Sequence, residues 1–144
     1  MTGPVFSRER PIRFSDCDPA GIVFYPQYFV MMNGLVEDWF TEALGVDYAA
    51  LINERRIGLP TVRLAVDFKS IARLGDKVRL TLQCERVGGA SLSLKLRCLG
   101  LGADDDDSVR MTMNQVVVTT SLESHRAVEI PADLRAAIGR WSNA

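Results

Sequence analysis

The sequence predicts a single α+β domain in which one antiparallel sheet of about five strands wraps a long central helix. Three observations carry that prediction. One apolar stripe of helical period runs from Tyr28 to Leu44, the segments between Thr61 and Ser121 alternate with the period of a strand, and the connections between those segments are short. A lone antiparallel sheet must bury one of its faces, and only this helix has a stripe broad enough to cover it.

Composition bounds the function. The chain has 144 residues, 47% hydrophobic and 24% charged, enough for one domain over 1–144 that buries roughly 70% of its unfolded-chain surface. Seventeen basic and eighteen acidic residues leave a net charge of −1. There is no basic excess to neutralise a nucleic-acid backbone or to hold an anionic membrane, so neither is an expected partner. No run approaches the roughly eighteen apolar residues of a membrane span, and a soluble, cytoplasmic protein is expected. Cys17, Cys84 and Cys98 lack the paired spacings of a zinc site and fit a reducing compartment, and no metal is expected.

Val5 to Phe14 mixes β-formers with charges and one proline, which suits an edge strand. Pro26 has no N–H to lose and a φ that is already helical, so it marks the first turn of a helix running to about Leu44, with Gly45 as the stop. Nineteen residues give a rod of roughly 28 Å. Val46 to Ile57 reads as a short helical turn and loop closed by Gly58-Leu59-Pro60. Thr61 to Phe68 alternates, with Val62, Leu64, Val66 and Phe68 on one face, and Gly75-Asp76 marks a turn. Lys77 to Arg86 places Val78, Leu80, Leu82 and Cys84 on a core face. Gly88-Gly89 signals a hairpin, after which Leu92, Leu94, Leu96 and Cys98 alternate with Ser91, Ser93, Lys95 and Arg97. Gly100 to Ser108 is expected as a loop holding Asp104 to Asp107, solvated because the glycine and glutamate spacing of a calcium hand is missing. Val109 to Ser121 is a last long strand and Ala132 to Trp141 a helix introduced by Pro131. The four consecutive strands, with short connections, are expected as antiparallel neighbours.

Chemistry is expected in Phe14 to Pro26, the loop that delivers the chain into the long helix. Asp18 lies a few residues before a helix start that carries unpaired N–H groups and partial positive charge. It reads either as a reactive carboxylate or as the acceptor of an Asx-type turn before Pro19. Asp16 is expected to order the loop. Cys17 is flanked by two carboxylates that disfavour its thiolate, and it is read as a packing residue. His125, the single histidine, lies in a polar segment far along the chain from the loop.

Asp16-Cys17-Asp18-Pro19-Ala20-Gly21-Ile22-Val23-Phe24-Tyr25-Pro26, with the strand before it and Gly58-Leu59-Pro60 before the next, resembles the hotdog-fold acyl-CoA thioesterases of the 4-hydroxybenzoyl-CoA thioesterase family. The resemblance implies a catalytic carboxylate at Asp18 and a backbone N–H at Tyr25 that polarises the thioester carbonyl. It implies a homo-oligomer, a dimer or dimer of dimers such as a homotetramer, with the active site between subunits. Phe24, Tyr28 and Asn33, in the first turns of the helix, are then candidates to line an acyl pocket. The family's helix residue that can meet a ring hydroxyl is an aspartate, matched here by Asn33. The family's basic cluster for coenzyme A phosphates is matched by Val87-Gly88-Gly89, which leaves Arg86 and Lys69, or Arg73 and Lys77, as candidate phosphate contacts. The implied activity is hydrolysis of an aromatic, benzoyl-type acyl-CoA without a cofactor, with Asp18 as nucleophile or general base. Thioesters of an acyl carrier protein, and a non-catalytic acyl-CoA-binding protein, are the alternatives.

Overall fold

The computed structural model describes residues 3–102 and 108–143. The expected aspartate loop, Asp104 to Asp107, lies outside the described residues. Strand β1 (Phe6–Pro11) leads through a 3-10 turn (Phe14–Asp16) to helix α1 (Tyr25–Asp38), which continues as a π turn over Trp39–Leu44. Helix α2 (Tyr48–Asn53) and a two-residue strand β2 (Ile57–Gly58) follow. Then come β3 (Thr61–Phe68), β4 (Lys77–Val87), β5 (Ser91–Leu101), β6 (Val109–Val118), a short β7 (Thr120–Ser121) and helix α3 (Ala132–Ser142).

The expected sheet is present: five strands, all antiparallel, in the order β1-β4-β5-β6-β3. Its inner face carries Val78, Leu80 and Leu82 of β4, Leu92, Leu94, Leu96 and Cys98 of β5, and Met111, Met113 and Val117 of β6, all buried. Against them α1 and its π turn bury Met31, Met32, Leu35, Trp39 and Phe40. Each such side chain contributes about 1.5–3 kcal/mol, so this seam between sheet and helix dominates the stability. Cys84 of β4, expected on the core face, is only half-buried.

Four expectations are corrected. The long helix is not α-helical throughout. Its last six residues widen into a π turn that seats the consecutive rings of Trp39 and Phe40 in the core, centroids 5.4 Å apart, before Gly45 ends it in the left-handed region at φ 70°. The expected strand from Val109 to Ser121 breaks at Thr119, whose N–H bonds Ala90 C=O at 2.8 Å and whose hydroxyl bonds Val128 C=O at 2.6 Å. Beyond it the chain leaves the main sheet and pairs as β7 with β2. The loop expected from Gly100 is shorter at its start, since β5 runs to Leu101.

The fourth correction concerns β3, which does not neighbour β4. It pairs with β6 at the far edge of the sheet. Residues 69–76 cross the end of the sheet instead of turning back. An extended eight-residue segment reaches roughly 26 Å, whereas the three strand spacings from β3 to β4 need only about 14 Å. At this edge the alternation of β3 survives, but only Val66 packs partly against the core, while Val62, Leu64 and Phe68 stay largely in solvent. Val62, at a bulge, is 61% exposed and Phe68 51%.

Candidate active site at the entrance to the long helix

The loop between β1 and α1 is fixed by its own backbone. Asp16, only 7% exposed, takes the Arg10 guanidinium on Oδ2 at 2.6 Å and the Arg13 N–H on the same oxygen at 2.8 Å. Its carbonyl accepts the Phe24 N–H at 3.0 Å. Asp16 thus ties the strand before the loop to the residue that caps the helix, as the loop-ordering reading expects. Charge-assisted bonds of this kind are the strong ones.

Between these ties the chain forms a miniature hairpin. Cys17 bridges Val23, and the Asp18 N–H bonds Ile22 C=O at 3.0 Å. Asp18-Pro19-Ala20-Gly21 is a β-turn closed by the Gly21 N–H on Asp18 C=O at 3.0 Å. Pro19 supplies its preset φ, and Gly21 takes the left-handed φ of 78°. The Asp18 carboxylate accepts the Ala20 N–H on Oδ1 at 2.8 Å. The Asx-turn reading of Asp18 therefore holds for one oxygen, while Oδ2 has no hydrogen-bond partner among the described residues. The crossing segment 69–76 braces the hairpin from outside, with Val23 N–H on Ala72 C=O at 3.0 Å and Leu74 N–H on Gly21 C=O at 2.9 Å. A half-exposed carboxylate is thereby held on a backbone that has little freedom to move.

The helix start presents one donor. Pro26 has no N–H, and the Gln27 N–H is committed to Phe24 C=O at 2.8 Å. The Tyr25 N–H lies at the first helical position, where no intrahelical acceptor exists, and the helix dipole adds partial positive charge there. Asp18 pairs with Ile22 in the hairpin, and the chain from Ile22 runs directly into this helix start. A half-exposed carboxylate and an N–H without an intrahelical acceptor thus belong to one loop-to-helix entrance.

Beside the helix start a cleft of about 280 Å³ is lined by Tyr25, Tyr28, Phe68, Lys69 and Ile71 among others. Its wall is aromatic: Tyr25 and Phe68 centroids are 6.0 Å apart, Tyr28 and Phe68 6.1 Å, and Phe24 stacks edge-on against Tyr25 at 5.6 Å. Tyr28 is buried, and burial pushes its phenol well above the usual range. The structure therefore brings Phe24, Tyr25, Tyr28 and Lys69 together. Phe68 and Ile71 were missed by sequence reasoning, because a strand end reads as core or turn until its neighbours are known.

Asn33 is elsewhere. It lines a second cavity of about 410 Å³ with Glu37, Tyr48, Thr61 and Gln115. Eight residues of helix separate it from Tyr25, about 12 Å, which is longer than a benzoyl group. Arg86 is also apart. It pairs with Ser93 near the far end of β4, roughly 23 Å along the strand from the level of Lys69. One chain does not bring the two candidate phosphate contacts together.

The other candidates recede. Burial first, then the charges of Asp16 and Asp18, hold the Cys17 thiol above its ordinary value. Burial pushes Cys84 up to about 11 and Cys98 up to about 12. All three stay protonated at neutral pH and are poor nucleophiles. His125 is exposed in a left-handed turn at φ 58°, its N–H on Ser121 C=O at 2.7 Å. Among the described residues no group of three or more His, Cys, Asp or Glu is placed to hold a metal ion, and no helix is long and apolar enough to cross a membrane.

Comparison with known proteins gives the family and the fold. The family model of the thioesterase-like superfamily matches residues 12–138. The 1,4-dihydroxy-2-naphthoyl-CoA hydrolase of Synechocystis sp. is 31% identical over 80 residues, 54% of this chain, and the match spans only 55% of that relative's length. The 4-hydroxybenzoyl-CoA thioesterase of Pseudomonas sp. strain CBS-3 is 26% identical over 129 residues, 87% of this chain and 91% of that protein. Its solved structure superposes with a TM-score of 0.83 at 25% identity over 92% of this chain and 98% of that one. A gentisyl-coenzyme A thioesterase structure gives 0.79 at 26% identity, over 92% and 98%. With a family match over most of its length and the same sheet-around-helix architecture, the chain belongs to the thioesterase-like superfamily and has the hotdog fold of the 4-hydroxybenzoyl-CoA thioesterases.

Proposed function

We propose that this protein hydrolyses the thioester of an aromatic acyl-CoA to the free acid and coenzyme A. The observation that carries the reading is the pairing of a braced Asp18 carboxylate with the Tyr25 N–H at the helix mouth. The Tyr25 N–H and the helix dipole stabilise the negative charge that develops on the carbonyl oxygen, worth about 3 kcal/mol for one preorganised donor. Asp18 Oδ2 then serves in one of two ways. As general base it takes a proton from the water whose oxygen attacks the carbonyl carbon. As nucleophile it attacks that carbon itself, and water hydrolyses the resulting anhydride. In both, the C–S bond breaks and the leaving thiolate is protonated. Aromatic substrates of the relatives, together with the cleft walls of Tyr25, Tyr28 and Phe68 and with Phe24 packed behind Tyr25, favour an aromatic acyl group.

The site is proposed to be completed by a second copy of the chain. The outer face of α1, with Val30, Asn33, Gly34 and Glu37, is in solvent, as are Val62, Leu64 and much of Phe68 on edge strand β3. Both suit burial in a dimer or a dimer of dimers. The 12 Å between Tyr25 and Asn33 makes sense if the carbonyl rests on one copy's helix start and the ring enters the other copy's larger cavity. Lys69, at the cleft beside Tyr25, is the proposed phosphate contact, and Arg86 supplies one only from another part of the assembly. Thiol release from a panel of aromatic and aliphatic acyl-CoAs tests the function. Rapid turnover of the aromatic esters is expected, and no release from any of them rules the reading out.

A further inference from the structure

Residues 69–76, which cross the end of the sheet, hold the hairpin that carries Asp18. Ala72 C=O accepts the Val23 N–H at 3.0 Å, the Leu74 N–H donates to Gly21 C=O at 2.9 Å, and Ile22 bridges Arg73. These bonds fix the returning arm of the hairpin, whose Ile22 C=O receives the Asp18 N–H and whose end leads into Tyr25. Within the crossing segment only Ala72 is buried. A segment with so little buried surface opens locally unless polar ties hold it. One residue of β6 supplies such ties. Leu99 faces Val109 and Cys98 faces Met111, so Arg110 is the extra residue of a β-bulge, a device that re-aims a side chain. Arg110 is only 9% exposed. Its C=O accepts the Lys69 and Ser70 N–H groups at 2.8 and 3.2 Å, where the segment begins. Its Nη1 donates to Ser108 Oγ, and its Nη2 stands 3.9 Å from Asp76 Oδ2, where the segment ends.

We propose that Arg110 is a positioning residue for the site, clamping both ends of the crossing segment so that the segment keeps Asp18 and the Tyr25 N–H in place. This rests on the hydrolase reading above and deepens it. The guanidinium lies toward the inner side of the sheet, since burial raises the Tyr28 phenol and the Cys98 thiol and the Arg110 charge opposes that rise in both. Being largely buried, it is screened less than a surface charge, so it still attracts Asp76 across 3.9 Å. Asp76 is itself part of a tied turn. Its N–H donates to Arg73 C=O at 2.9 Å, its C=O accepts the Ile12 N–H at 2.7 Å, and its Oδ2 takes the Arg73 N–H at 2.8 Å. A charge that holds this turn therefore holds the whole far end of the segment. Arg110 does not line the cleft beside Tyr25 and acts only through the segment. A small displacement of a reacting group costs much of its rate, so a clamp at this distance shows in turnover.

The test combines benzoyl-CoA kinetics with amide hydrogen exchange in the wild type, Arg110→Met, Arg110→Lys and Asp76→Asn. Arg110→Met removes the charge but leaves the backbone bonds to Lys69 and Ser70, so kcat should fall about 10-fold with KM within about twofold. Arg110→Lys keeps a charge and should return kcat to within about threefold of the wild type. Asp76→Asn removes the partner's charge, keeps an acceptor for the Arg73 N–H and should lower kcat in the same way; it carries the test if Arg110→Met does not fold. Exchange needs no turnover. The Val23 and Leu74 amides should speed up at least about 10-fold more than those of Leu94 and Leu96 in β5. One common acceleration of all four amides, a loss in KM with kcat unchanged, or wild-type kcat in a folded Arg110→Met overturns the inference and leaves the hydrolase reading intact. Selective exchange at Val23 and Leu74 in a protein that hydrolyses no ester supports the clamp, and only the hydrolase reading falls.

Discussion

Replacing Asp16 by asparagine separates the carboxylate that holds the loop from the one proposed to do the chemistry. In the native protein Asp16 Oδ2 receives the Arg10 guanidinium at 2.6 Å and the Arg13 N–H at 2.8 Å, in a largely buried place. Asparagine keeps the shape but turns a charge-assisted bond into a neutral one and sets an NH2 group among donors. The difference between those bond classes is about 1–2 kcal/mol. For a domain near this size each kcal/mol lowers Tm by roughly 2–4 °C, so the variant should melt about 2–8 °C below the wild type. The loop that positions Asp18 and Tyr25 loosens, and kcat should fall roughly 10-fold with KM little changed, because Asp16 touches no substrate. Thermal melts by circular dichroism and steady-state thiol release measure both. An unchanged Tm with a loss of turnover as large as that of Asp18→Asn would put Asp16 among the reacting groups and refute its assignment as a loop tie.

Three further perturbations follow from the same geometry. Tyr25→Ala removes the ring and keeps the N–H, whereas Tyr25→Pro also removes the N–H at a first-turn position that tolerates proline. The proline variant should lose about 10²–10³-fold more kcat than the alanine variant, and equal kcat in the two, with matching melts, would rule out the N–H as oxyanion donor. Leu94→Ala empties the middle of the seam between β5 and the helix and should lower urea-measured stability by about 2–5 kcal/mol; a loss below about 1 kcal/mol would mean the seam is not the core. The thiols of half-buried Cys84 and buried Cys98 sit at about 11 and 12 in the fold against about 8.5 unfolded, so the folded state holds their protons more tightly. Their contribution is complete below about pH 8.5 and is lost as pH rises toward 11 and 12, so stability should fall across that window, and a rise between pH 8.5 and 10.5 contradicts their burial.

Much of the architecture is legible because burial writes its period into the chain. The stripe of Met31, Met32, Leu35, Val36, Trp39 and Phe40 gave the helix its face, Gly45 gave its end, and alternation along β4 and β5 gave their inner sides. Position in the sheet is another matter. Alternation within Thr61 to Phe68 fixes which side chains share a face but says nothing about which strand lies alongside, so β3 reads as a neighbour of β4 until the crossing segment is seen. The break at Thr119 is hidden because β-formers continue on both sides of it, and the π turn because a widened turn leaves no composition mark. At the site, Asp18, Pro19 and Pro26 were readable as turn and helix-start chemistry within nine consecutive residues. The cavity wall was not, since Asn33, Thr61 and Gln115 come from three elements far apart in sequence. One hint was present: Gln115 is the polar residue in the alternating series Met111, Met113, Gln115, Val117.

The central claim is that the Asp18 carboxylate acts on a thioester whose carbonyl rests on the Tyr25 N–H. Thiol release by wild type and Asp18→Asn, at equal substrate and with melts to confirm the fold, tests it most directly. The account predicts a fall in kcat of roughly 10² or more with Tm nearly unchanged, since the asparagine oxygen still accepts the Ala20 N–H. Wild-type turnover retained by a folded Asp18→Asn would contradict the account.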